Sequence, residues 1–282
     1  MNMAYELFRN CIAPYARYAR YARHSMVISL LCLAGCATQQ SAEKITTSEN
    51  AITETVGTTQ DLLFSTYPAT ASALPAELKR WALPGCPQTE YDLVQQDDRT
   101  VLHAKAVKSA SSIRKEVAVE PTQFPKLLWS WKTEALIPEA DNTLSYKEDA
   151  PVRVILTFDG DRSKLSFGEL ARSQLLKVLT GEELPFATLM YIWENRLPVG
   201  TIINSTHSSR IKMIVAASGP EQVGQWMQLS RNMADDYRRA FGEEPGTLVS
   251  IGVMTDSNKT SSQAEAYYGD IRLASQDGLS AQ

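Results

Sequence analysis

Two tryptophans stand two residues apart in LWSWK, Trp129 and Trp131, and Tyr191 and Trp193 repeat the spacing in YIWEN. On a strand, residues i and i+2 share a face, so each pair presents two rings together. Paired rings serve either as core or as a platform on which a sugar stacks its apolar CH face. In the platform version, Trp131 and Trp193 supply the rings while Arg153 and Asn195 supply polar contacts. Asp256 and Asn258 add further contacts from TDSNKT at a sheet end. In the core version, Arg153 becomes a buried ion-pair partner of Asp149 or Glu148, and TDSNKT is an ordinary turn.

Other chemistry is thinly represented. The chain has three histidines and no G-x-S-x-G, H-E-x-x-H, P-loop or G-x-G-x-x-G motif. His103 sits in an alternating run and His207 in the polar loop NSTHSSR, with no ligand set around either for zinc. Glycoside hydrolysis needs only two carboxylates on facing elements. Asp149, Asp159, Glu194, Asp256 and Asp270 all lie near strand ends, as they would by chance in a β-rich chain. An enzyme is therefore the weaker reading.

The elements that would position these residues are β-strands. Nine runs recur between turn signals: TEYDLVQ, RTVLHAKAV, SIRKEVAVE, KLLWSWKTEAL, PVRVILTFDG, ATLMYIWEN, RIKMIVAAS, GTLVSIGVMTD and AEAYYGDIRLA. Several alternate in period two without intervening helices, which predicts an antiparallel, jelly-roll-like β-sandwich. Two helices are expected outside it. One starts at a capping box, Ser166 to Glu169, and stops at Gly181. The other is expected over 221–241, where Trp226, Leu229, Met233, Tyr237 and Phe241 fall at helical spacing.

The first sixty residues have a different texture. Arg17, Arg20 and Arg23 precede the apolar run MVISLLCLAG, the layout of a secretory signal peptide and too short to span a bilayer. Leu33-Ala34-Gly35-Cys36 resembles the lipobox of bacterial lipoproteins, which implies cleavage before Cys36 and acylation of its sulfur. With Ala37 next, not the Asp that retains lipoproteins in the inner membrane, the periplasmic face of the outer membrane is the expected location. Residues 36–60, rich in Thr, Ser, Gln and Glu, read as a tether. This divides the chain into a leader (1–35), a tether (36–60), one β-sandwich domain (61–275) and a frayed tail (276–282). Removing the leader takes away four arginines and one glutamate, leaving 24 basic against 31 acidic residues, a net charge of −7. An acidic chain excludes nucleic acid as the main partner. Any hold on a membrane must come from lipid at Cys36 and not from a basic patch. Processing also removes or acylates every cysteine but Cys86, so no intramolecular disulfide is expected.

Read together, LLWSWK, EDAPVRVILTFDG, YIWEN, SGPEQVGQWMQLSRNMADDYRRAFGEEP and IGVMTDSNKTSSQAEAYYGDI resemble the bacterial domain-of-unknown-function family numbered 3047, over residues 65–274. The resemblance implies export and brings no established activity. The ending YYGDIRL is similar to the last strand of galactose-binding-like jelly rolls, which implies a structural calcium at Asp270. No cofactor is otherwise required. Three function classes follow: a glycan-binding module, a structural or protein-partner-binding envelope protein, and a carboxylate-dependent glycosidase.

Overall fold

A computed structural model describes residues 60–69, 73–83 and 85–276. The leader, Cys36, nearly all of the tether and residues 277–282 lie outside the described residues. Among the described residues, twelve strands form two sheets. β1 (Lys79–Trp81), β4 (Ala110–Val119), β11 (Leu248–Asp256), β6 (Arg153–Phe158), β7 (Ala187–Glu194), β9 (Ile211–Ser218) and β8 (Ile202–Asn204) follow one another across a seven-stranded sheet. β10 (Met227–Asn232), β5 (Lys126–Thr133), β12 (Gln263–Ala274), β3 (Arg99–Val107) and β2 (Glu90–Gln96) make a five-stranded sheet. All neighbours are antiparallel except β7 and β9, which run parallel. The architecture is the expected mainly-β, jelly-roll-like sandwich with two helices outside it.

The core is the space between the sheets. Alternate residues of β6, β7 and β11, among them Val154, Leu156, Tyr191 and Ile251, face Leu127, Trp129, Trp131 and Tyr268 of the other sheet. Trp129 is stacked on Tyr191 with ring centroids 5.0 Å apart, and meets Trp131 edge to face at 5.5 Å. The β2–β3 connection is a two-residue turn, Asp97-Asp98, with φ of 47° and 64°. Two left-handed residues are what a tight antiparallel hairpin requires.

α1 (Phe167–Thr180) starts and stops where expected. Ser166 caps the Glu169 N–H while the Glu169 carboxylate accepts from Ser166, and Gly181 takes φ 82°. The second helix is shorter than expected. Residues 227–232 form β10, paired with β5, and only Met233–Phe241 is helical (α2). The Asn232 side chain accepts from the Asp235 N–H and sets that start. Cys86 is disulfide-bonded in the full chain, against the expectation of no disulfide; that expectation concerned the processed chain, from which Cys11 and Cys32 are removed and in which Cys36 is acylated, and all three lie outside the described residues. No helix among the described residues is long and apolar enough to cross a membrane.

Candidate functional site

The proposed platform does not lie on a surface. Trp131 is fully buried and Trp193 is 1 % exposed, both inside the sandwich, and Trp193 donates its indole N–H to the Gly219 carbonyl at 3.0 Å. Neither ring has a face for a sugar. The reason is parity: β5 and β7 turn their Trp positions towards the opposite sheet.

Arg153 and Asp256 do come together, but underground. Arg153 Nε donates to Asp256 Oδ1 at 2.8 Å and Nη2 to Oδ2 at 3.1 Å, with both residues buried. The same guanidinium reaches the Asn142 side-chain oxygen and the Glu148 carbonyl. The pairing partner is thus Asp256, rather than Asp149 or Glu148. Burial pushes the Asp256 carboxyl up to about 6 against the pull of Arg153, and pushes Glu148 up to about 7. Asp149 accepts from the Lys259 and Thr260 N–H groups and the Thr260 hydroxyl, holding the turn that contains half-buried Asn258. Asn195 spends its amide donors on the Ile137 and Ala140 carbonyls. These residues anchor loops.

Asp270 is likewise committed. Its two oxygens accept from the Ser65 N–H (2.9 Å), the Ser65 hydroxyl (2.7 Å) and Arg272 (3.1 Å). Donor hydrogens and a guanidinium surround the carboxylate, an environment that does not fit a calcium ion. Among the described residues no three His, Cys, Asp or Glu side chains are placed to hold a metal. Asp270 instead latches the N-terminal segment to the last strand.

A groove lies open on the outer face of the seven-stranded sheet. Strand registers lay its floor out as rows. Ser250, Thr157 and Thr188 follow one another across β11, β6 and β7, and the next row is Arg114, Gly252, Ile155 and Met190. Trp81 opposite Ser112 begins a third. Gly252 keeps the floor low, since a Cβ there would meet the Ile113 carbonyl oxygen at 2.7 Å and the Arg114 Cβ at 3.0 Å. Two cavities share this floor. One, of about 170 Å³, is roofed by Leu176 of α1 and by Leu184-Pro185. The other, of about 500 Å³, opens beside Glu116, Val117 and Val249. Arg114, Thr157, Glu182, Glu183, Pro185 and Ser250 line both, so they form one groove.

The groove carries charge at its rim and hydroxyls on its floor. Arg114 pairs with Glu182, Lys79 with Glu116 at 2.7 Å, and Lys177 with Glu183 at 2.7 Å. The hydrogen bond from Lys79 holds Glu116 below the usual carboxylate range, and Lys177 does the same for Glu183. No floor residue is Asp or Glu, and neither of these rim acids is held protonated as a glycosidase acid must be.

The outer face of the five-stranded sheet is the other aromatic surface, and its rings are already engaged. Arg99 covers Trp226 at 4.4 Å, whose indole donates to Asp97, and Tyr267 stacks on His103 at 4.8 Å under Lys132. Sequence reasoning missed Trp81, Arg114, Ser250 and Gly252. Their signal was the composition of the solvent-side positions: hydroxyls and a glycine on adjacent strands, where an ordinary solvated face carries charges.

A mainly-β sandwich with a groove across one sheet is thus the class that fold and site define. Residues 76–272 match the family described as "Protein of unknown function (DUF3047)", and the chain belongs to it. No curated protein matches. Solved structures with similar folds include the family 11 carbohydrate-binding module of the Clostridium thermocellum cellulase Lic26A-Cel5E. It is 8 % identical with a TM-score of 0.38, over 76 % of this chain and 94 % of that one. The family 30 module of Cel9D-Cel44B from the same organism is 12 % identical with a TM-score of 0.31, over 71 % and 87 %. The family GH12 endoglucanase 3 of Trichoderma harzianum is 9 % identical with a TM-score of 0.33, over 72 % and 100 %. Likenesses at this level carry no statement of function.

Proposed function

We propose that this chain is an exported, lipid-anchored envelope protein whose β-sandwich binds a glycan without cleaving it, in the groove of the seven-stranded sheet. The observation that carries the binding site is the floor itself: neighbouring Ser and Thr hydroxyls under a Trp81 wall, with Arg114 and Glu182 at the rim. A glycan needs that combination of an apolar contact and directional polar groups. The anchor reading rests on the basic leader, the short apolar run and LAGC ending at Cys36. Its location at the periplasmic face of the outer membrane follows from Ala37. A second reading, docking of an envelope protein, is favoured by α1, whose Phe167 and Val178 are 88 % and 82 % exposed.

The full chain carrying Cys36→Ser, which removes the acylation site, is tested on a glycan array and on peptidoglycan. Saturable retention that drops at least tenfold in Arg114→Ala and Trp81→Ala supports the groove. Retention unchanged in both variants refutes it. Wild-type protein found in the soluble fraction with its N-terminus uncleaved refutes the anchor.

A further inference from the structure

The groove is two rooms of opposite character. The narrow end under α1 is walled by Trp81, Ile155, Leu176, Leu184, Met190 and Met254; of the hydroxyls that also line it, Thr157 and Ser250 bond each other and Thr180 donates to the Leu176 carbonyl. The open end is more polar: it adds Glu116, while Arg114, Glu182 and Glu183 stand where the two ends join. The narrow end, at about 170 Å³, is close in size to an apolar protein cavity of about 150 Å³ that stays dry and takes up benzene. A sugar placed there would set most of its hydroxyls against apolar side chains and against protein hydroxyls that already have partners, leaving them unpaired. The two rooms therefore ask for different halves of one ligand.

The roof is built to admit such a group. α1 reaches the groove mainly through Leu176, which is 3 % exposed, while Phe167, Leu170, Val178 and Leu179 are exposed. The Arg114 Nε at the boundary between the rooms is buried without a hydrogen-bond partner, although the same guanidinium pairs with Glu182. A donor left over at that junction is where the polar head of an amphipathic ligand would turn out of the narrow end.

We infer that the ligand is an amphipathic glycan: a sugar whose attached acyl or aryl group fills the narrow end under α1 while its hydroxyls lie in the open end. This rests on the glycan reading above and names the class of glycan.

The experiment measures binding of n-butanol through n-heptanol, and of the matching n-alkyl β-D-glucosides below their micellar concentrations, to the full chain with Cys36→Ser by titration calorimetry. The expected result is saturable binding that tightens about fourfold per methylene until the narrow end is full, the value of burying one CH₂ at about 0.8 kcal/mol. Glucosides should bind more tightly than the alcohols of equal chain length. Leu176→Trp, which fills the room, should abolish the chain-length dependence. Thr180→Phe, at the half-buried rim of α1, repeats the test if Leu176→Trp fails to fold. Affinity independent of chain length, or dependence that survives both variants, overturns the inference while leaving array binding of plain glycans untouched. Alcohol binding with no retention of any glycan or alkyl glucoside overturns the glycan reading and, with it, the amphipathic ligand.

Discussion

Replacing Trp131 by alanine separates a core tryptophan from a ligand platform. The side chain is fully buried and packs edge to face on Trp129. Truncating a buried Trp removes its transfer free energy and leaves a cavity that the two sheets cannot close, about 3–5 kcal/mol. For a domain of this size each kcal/mol lowers the melting temperature by about 2–4 °C, so a drop of roughly 6–20 °C is expected. The indole N–H of Trp131 is buried with no partner, so it contributes desolvation cost without a bond in return. Trp131→Phe, which removes that donor and keeps an aromatic ring, should therefore cost far less than Trp131→Ala. Urea unfolding followed by fluorescence and circular dichroism gives both values, with the slope checked for constancy. Refutation would be a Trp131→Ala protein that melts like wild type and has lost only ligand binding.

Three further outcomes follow from the paired and buried polar groups. Removing one partner of the Arg153–Asp256 pair strands a buried charge, so Arg153→Met should cost about 3–5 kcal/mol in urea unfolding, and Asp256→Asn less because the amide still accepts from the guanidinium. Glu148, raised to about 7 by burial, binds a proton in the folded state between its ordinary value near 4.5 and pH 7. Its contribution is therefore complete below pH 4.5 and lost as pH rises through 7, a decline on the order of 2–3 kcal/mol that Glu148→Gln should flatten. Asp270→Ala should lower stability by releasing Ser65, while chelator should leave the melting temperature of wild type unchanged; a calcium-dependent rise would contradict the reading of Asp270 as a latch.

Much of the fold was legible because burial on one face writes period two into a strand. All nine expected runs are strands, and the Ser166 capping box marks α1 correctly. Three strands were not visible. β1 and β8 have only three residues each, too few to show a period. β10 was hidden because Met227 and Leu229 alternate on the core face while Trp226, Leu229, Met233 and Tyr237 also fit a helix. The distinguishing signal was Asn232, whose cap starts α2. The site was less legible for a related reason. Period two says that Trp129 and Trp131 share a face without saying whether that face meets water or the other sheet. The groove floor, Ser250, Gly252, Thr157 and Thr188, lacks the aromatic or charged residues that draw attention, and its rows exist only once strand order is known.

The central claim is that ligand lies on the outer face of the seven-stranded sheet. Amide and indole chemical shifts, recorded while the tightest glycan from the array is titrated in, test it directly. The account predicts that the largest changes fall on the Trp81 indole, Arg114, Thr188, Ser250 and Gly252, with Trp131 and Trp193 unmoved. Changes confined to Trp226, Tyr267 and His103 on the five-stranded sheet would place the ligand on the opposite face and contradict it.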